Sequence, residues 1–162
     1  MEIAQIMKKM IEFSEGNIHD IDHFLHVWSY AKMIGELENI DDETQYILEV
    51  AAITHDIACP LCRKKYGNTN GKYQEEEGIP LVAEFLSGTG MTEKQINRVA
   101  YLVGHHHTYD NIEGMDYQIL IEADYIVNAC ESGYSRQNIE NFLEKNMRTE
   151  SGRSVARAVL IS

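Results

Sequence analysis

An apolar run ends in two ionisable residues in the stretch Ala51-Ala52-Ile53-Thr54-His55-Asp56-Ile57. The segment that leads into it has the spacing of a helix that is apolar on most sides, which predicts a central position in the fold. Burying a histidine and an aspartate is costly unless another group pairs with them. A metal ion is the simplest such group, so the stretch predicts further ligands elsewhere in the chain.

The composition is that of an ordinary soluble globular protein. The chain has 162 residues, of which 44% are hydrophobic and 25% charged, enough for one domain with a single core. It contains no run of 18 apolar residues and does not begin like a secretory signal, so we expect neither a membrane protein nor a secreted one. Three cysteines in such a chain indicate reduced thiols and a cytoplasmic location.

The charge balance restricts the class of partner. A net charge of -12 repels the nucleic-acid backbone, so we expect no polynucleotide partner. A small phosphorylated substrate stays compatible with this charge, because a local divalent metal attracts it. The composition leaves homo-oligomerisation open.

The apolar spacing predicts an all-α fold. Only two prolines interrupt the chain, apolar residues recur at three and four, and no alternating run indicates a strand. Asp41 as an N-cap and Thr92 with Gln95 as a capping box mark two helix starts. Helices are predicted from about 3 to a stop near 14–16, and over about 20–37, 41–56, 73–86, 92–105, 117–130, 135–147 and 151–161. Residues 59–72, which lack periodicity and contain proline, glycine and asparagine, are predicted to form a long loop at the mouth of a site.

Several ionisable residues interrupt the apolar helical stripes. They are His23 or His26, His55, Asp56, Asp124 and the run His105-His106-His107. Neutral imidazoles combined with carboxylates suit a divalent transition metal such as Zn, Fe, Mn, Ni or Co. Spacing alone does not decide between His23 and His26, because residues three apart share a helical face.

The order of these residues resembles the HD-domain superfamily of metal-dependent phosphohydrolases. Its motif begins with a histidine four residues before a valine, here His23-Phe24-Leu25-His26-Val27. It continues with the apolar run into His55-Asp56 and closes with Ala123-Asp124 in an apolar helix. The resemblance covers about residues 17–129.

The resemblance implies a fold and a metal site. The fold would be a single compact multi-helix HD-domain-like bundle over residues 1–162, with the helices of 135–162 packed on the motif core. The implied ligands of the metal are His23, His55, Asp56 and Asp124. Asp56 would also orient the attacking water or bridge to a second metal, and His26 would face the pocket as a substrate-binding candidate.

A second metal is left open by the family pattern. Binuclear members have a further histidine where this chain has Gln74, whose amide is a poorer ligand than imidazole. His105 and His106 match later histidines of the pattern. They could equally bind substrate phosphate or act as acid–base groups near neutral pH.

Other candidates surround the His55-Asp56 pair. Arg63, Lys64 and Lys65 form a cationic run suited to substrate phosphate, with a solvated loop as the alternative. His107 is a substrate-binding candidate at the mouth. Cys59 and Cys62 lack the second pair of a structural zinc site and are interpreted as loop packing, with a soft contact to the pocket or redox sensitivity as the alternative.

These features predict an enzyme, a metal-dependent phosphohydrolase. It would hydrolyse a small phosphate ester or a nucleotide through metal-activated water. The alternatives are an HD-type diiron oxygenase, which requires a complete binuclear site, and a non-catalytic metal- or ligand-binding sensor with the same fold.

Overall fold

In the computed structural model, which describes residues 1–162, the chain is entirely helical. It forms nine helices, α1 Ile3–Phe13, α2 Ile18–Leu37, α3 Asp42–Thr54, α4 Cys59–Tyr66, α5 Gly71–Leu86, α6 Glu93–Val103, α7 Met115–Ser132, α8 Arg136–Lys145 and α9 Glu150–Leu160. The prediction of an all-α bundle is confirmed. None of the helices combines the length and the apolar character needed to cross a membrane.

Local capping explains where several helices begin. The Asn17 side chain accepts a hydrogen bond from the Asp20 amide before α2, and Asp41 accepts one from the Thr44 amide before α3. Thr92 and Gln95 form the capping box of α6. These side chains satisfy amide groups that have no partner inside the helix, so the boundaries were readable from sequence to within a few residues.

The prediction of a long loop over residues 59–72 is wrong. Residues Cys59–Tyr66 form α4, and only 67–70 separate it from α5. Pro60 is tolerated because it lies in the first turn of α4, where a missing amide proton breaks no helical hydrogen bond. Cys59 and Cys62 supply the buried side of this short helix, and Gly67 ends it with a φ of 76°.

The core is organised around α2, α3 and α7. α2 packs against both α3 and α7, α3 also contacts α1 and α6, α5 pairs with α6, and α9 packs on α7. One continuous hydrophobic cluster runs from Ile6 in α1 to Ala156 in α9. Because α7 is buried along most of its length, a carboxylate on it, such as Asp124, lies deep in the protein.

A buried carboxylate holds the C-terminal helices on α7. Glu122 has no solvent exposure, and its oxygens accept hydrogen bonds from the Arg148 amide (2.8 Å), the Thr149 amide (3.1 Å) and the Thr149 hydroxyl (2.5 Å). Gly152 packs so closely that a Cβ at its position would collide with this carboxylate. Since a buried carboxylate needs hydrogen-bond donors, these contacts fix the position of the start of α9 against α7.

Candidate metal centre

Three helices bring four of the sequence-predicted ligands together. His23 lies in α2, His55 and Asp56 directly follow α3, and Asp124 lies in α7. The His23 Nε2 atom is 3.1 Å from His55 Nε2 and 3.1 Å from Asp124 Oδ1. The Asp56 Oδ2 atom is 3.2 Å from His23 Nε2 and 3.5 Å from His55 Nε2. We call these four residues the first ligand group.

These separations fit a shared ion. Ligand atoms that each lie about 2.1 Å from one metal ion lie about 3.0–3.4 Å from one another. The His55 Nδ1 atom donates its hydrogen to the Ala52 carbonyl at 2.7 Å, which leaves Nε2 with a free electron pair. Two ring nitrogens and two carboxylates facing one point would repel each other without positive charge between them. The first ligand group therefore fits a divalent cation.

The pKa values of the first ligand group also indicate that its surroundings favour positive charge. Burial lowers the pKa of His23, but the hydrogen bond to Asp124 and the charges of Asp56 and Asp124 outweigh it and raise the pKa to about 10. Burial raises the pKa of Asp124, yet His55 and His23 hold it well below its usual range. The surroundings therefore stabilise a cation bound among these side chains.

Glu131, which the sequence reasoning missed, holds the outer side of His23. Its Oε1 atom lies 2.7 Å from His23 Nδ1, on the side of the ring opposite the ligand group. A carboxylate in this position fixes the orientation of a ligating histidine and raises its basicity. Glu131 follows Asp124 by seven residues on α7, so the shared helical face was the available signal.

Substitution of Glu131 tests this positioning role. We expect Glu131→Ala to weaken metal binding about 10–100-fold, because His23 loses the partner that orients it. Glu131→Gln keeps an acceptor oxygen and should retain most of the affinity. Metal titration against a competing chelator measures this, with exposed Glu76→Ala as the matched control. Equal affinity in the wild type and Glu131→Ala would contradict the role.

A second group of polar atoms adjoins the first through Asp56. The Asp56 Oδ1 atom, which belongs to the carboxylate of the first group, lies 3.4 Å from His106 Nε2. The Gln74 Oε1 atom lies 3.2 Å from His106 Nε2 and 3.0 Å from His107 Nε2. We call Asp56, Gln74, His106 and His107 the second ligand group. Glu75 holds the turn that carries these histidines by accepting a hydrogen bond from the His107 amide at 3.1 Å.

In the second ligand group, acceptor atoms of His106, Asp56 and Gln74 lie close together. The His106 Nδ1 atom lies 2.7 Å from the Val103 carbonyl, to which it donates its hydrogen. Its Nε2 atom therefore faces the oxygens of Asp56 and Gln74 as a third acceptor. Burial and the neighbouring His106 lower the pKa of His107 to about 4, so its ring is neutral at pH 7. The Gln74 amide donates to the Thr69 carbonyl at 2.6 Å, which turns its oxygen toward the histidines.

Two of the predicted histidines lie outside both ligand groups. The His105 ring stacks on Tyr101, with 4.0 Å between ring centroids, and its Nδ1 atom bonds the Tyr101 carbonyl. It turns away because 105–107 follow the end of α6 as a tight turn, in which consecutive side chains diverge. His26 is exposed and lines an outer groove with Tyr30 and Cys130.

The three consecutive cations do not face the site together. Arg63 lines the cavity and makes a two-pronged ion pair with Asp20, at 2.6 and 2.7 Å. Lys65 pairs with Glu77 at 2.6 Å, and Lys64 is exposed; neither lines the cavity. Successive residues of α4 point about 100° apart, so Arg63 alone of the three predicted phosphate-binding cations lines the cavity.

A polar cavity of about 170 Å³ opens next to the first ligand group. His107 lies on its wall, as predicted for a residue near the mouth. Cys59 also lines it, and burial raises the pKa of its thiol, which keeps it protonated. Polar residues that sequence reasoning did not assign complete the wall, namely His19, Asp20, Thr69, Asn128 and Glu131.

Fold and site together define an all-α bundle whose histidines and aspartates are arranged for a divalent metal. The HD domain family model matches residues 20–158, and the chain belongs to that family. The resemblance noted from the sequence is thereby confirmed. The chain is also similar in fold to a crystal structure described as a predicted HD superfamily hydrolase from an uncultured Thermotogales bacterium. The two are 22% identical, with a TM-score of 0.69, over 96% of this chain and 83% of the other. No curated protein matches the chain.

Proposed function

We propose that the protein is a metal-dependent hydrolase that cleaves a small phosphate ester. The observation that carries the proposal is the first ligand group, whose donor atoms lie 3.1–3.5 Å apart beside a polar cavity. Bound there, the metal would lower the pKa of a water molecule and neutralise charge on the phosphoryl oxygens. His23, His55, Asp56 and Asp124 would hold it.

The chain's own residues would orient and protonate the reacting groups. Asp56 has one oxygen toward each ligand group, so it would hold the attacking water in place. His106 would accept a proton at Nε2, the atom that lies 3.4 Å from Asp56 Oδ1, and would pass it to a reacting group. Alternatively, the second ligand group would hold a second ion, with Gln74 as its weakest ligand. Arg63 would release its ion pair with Asp20 and bind an oxygen of the substrate instead.

The alternative functions have less support. A diiron oxygenase needs a full set of strong ligands for both ions, and Gln74 supplies an amide where such a site has imidazole. A non-catalytic sensor would use the same ligands and cavity to bind a metal or a small molecule, and the hydrolysis assay below distinguishes it. Phosphoester hydrolysis uses both features.

Metal removal and reloading test the proposed function. We expect a chelator to abolish phosphate release from a panel of phosphomonoesters, and one of Mn, Co, Ni, Zn or Fe to restore it. Metal binding should also raise Tm, because a ligand that binds only the folded state stabilises it. A protein that binds no transition metal under any loading condition would refute the metal site. Metal binding without hydrolysis of any ester would favour a sensor, and oxygen consumption would favour the oxygenase.

A further inference from the structure

We propose that the substrate is a phosphomonoester of a short, hydroxyl-rich alcohol, in the size range of a triose or pentose phosphate, and not a nucleotide. The inference rests on the proposed function and narrows it to one substrate class. Three properties of the cavity beside the first ligand group carry it. They are its size, the chemistry of its wall and the sign of its charge.

The cavity is small. Its volume of about 170 Å³ lies below the roughly 300–1,000 Å³ of sites that enclose drug-sized ligands. The Arg63–Asp20 ion pair lies at its mouth and joins α4 to α2, which limits the opening. A phosphate with a few carbon atoms matches this space, whereas a nucleotide would leave its base outside.

The wall offers no phenylalanine, tyrosine or tryptophan face on which a base could stack. Proteins that bind unstacked bases hold them against aromatic side chains. No phenylalanine, tyrosine or tryptophan lines this cavity, and His23 and His107 direct their ring nitrogens, not their faces, toward the ligand groups. The nearby Tyr66 and Tyr73 rings stack on each other, 3.9 Å apart. His19 is the remaining ring, and it is exposed at the rim.

The wall does offer partners for hydroxyl groups. Asp20 and Glu131 accept hydrogen bonds, and Thr69 and Asn128 supply further polar atoms. Glu131 lines the cavity with about 25% of its side chain accessible, and both of its oxygens also lie within 3.2 Å of His23 Nδ1. Such a rim fits an alcohol with several hydroxyls.

The charge of the wall disfavours a second phosphate. Arg63 is the one lysine or arginine that lines the cavity, and Asp20 already pairs with it. A single phosphate would lie against the metal ligands, but the outer phosphates of a nucleoside triphosphate would meet Asp20 and Glu131. Like charges at short range repel, so polyphosphates should be poor substrates.

Ribose 5-phosphate and AMP form a matched pair, because they share the phosphorylated sugar and differ by the base. With the metal-loaded full chain we expect kcat/KM for ribose 5-phosphate to exceed that for AMP at least tenfold, with ATP lower still. Equal or faster hydrolysis of AMP would overturn the inference.

Two further measurements separate the inference from the proposed function. If no ester is hydrolysed, the proposed function fails, and calorimetric binding of the same pair to the metal-loaded protein still decides the inference. Tighter binding of ribose 5-phosphate would support it, and tighter or equal binding of AMP would overturn it. Asp20→Ala removes one side of the mouth, so the preference over AMP should fall at least threefold. An unchanged preference in this variant would overturn the role given to the rim.

Discussion

Replacing His55 with alanine is expected to abolish transition-metal binding and to lower phosphoester hydrolysis by on the order of 10³-fold or more. His55 is fully buried, and its Nδ1 atom donates its hydrogen to the Ala52 carbonyl. Its Nε2 atom is directed at the other members of the first ligand group. No other side chain can take its place, because His23 and Asp124 already point to the same centre. Metal content and phosphate release, measured on the same preparation, check the expectation.

Two histidines outside the ligand groups serve as matched controls for His55→Ala. His26 is exposed on α2, and His105 stacks on Tyr101 outside the second ligand group. We expect His26→Ala and His105→Ala to retain metal and activity within about twofold. Circular dichroism of all three variants separates loss of metal from loss of fold. If His26→Ala strips the metal while His23→Ala does not, the choice of His23 as ligand is wrong.

Asp56→Asn should lower kcat by roughly 10²–10³-fold, because one carboxylate faces both ligand groups. Its two oxygens lie 3.2 Å from His23 Nε2 and 3.4 Å from His106 Nε2. The amide keeps the shape but removes the charge, and it turns one of the two oxygens into a donor. About a quarter of the Asp56 side chain is exposed, so the exchange should leave the fold intact.

Kinetics and metal stoichiometry together distinguish the roles of Asp56. A fall in kcat at full metal occupancy would assign Asp56 to orienting water, whereas a fall in the number of bound ions would assign it to bridging two metals. Asp22→Asn, on an exposed position next to His23, is the control with the same chemical change. If Asp56→Asn leaves both kcat and metal occupancy unchanged, Asp56 has neither role.

Much of the fold was predictable because its signals are local. Caps such as Asp41 and Thr92 determine helix starts within a few residues of sequence, and apolar spacing determines the buried faces. The helix over Cys59–Tyr66 was missed because Pro60 and the later glycine and asparagine residues indicate a loop unless the first-turn position of the proline is recognised. Without this helix, there was also no reason to expect that the side chains of Lys64 and Lys65 point away from the cavity that Arg63 lines.

Site residues were predictable where they interrupt the buried face of a single helix. They were less predictable where a contact depends on how two helices pack. His55 and Asp124 are conspicuous because they interrupt buried runs. Spacing places Glu131 on the helical face of Asp124, but its partnership with His23 depends on the packing of α7 on α2, which neither segment determines alone. The choice among His105, His106 and His107 depends on a turn after α6, where helical periodicity no longer applies.

The contact between Glu122 and the start of α9 places a constraint on how this sequence can change. Residue 122, two positions before the candidate ligand Asp124, is far in the chain from residues 149 and 152, yet the three occupy one small space. A side chain larger than hydrogen at Gly152 requires a shorter one at 122, and a shorter one at 122 leaves the amides of Arg148 and Thr149 without an acceptor. We therefore expect the three positions to change together among relatives, so that the last helix shares the evolutionary constraint of the candidate metal centre although it contributes no ligand.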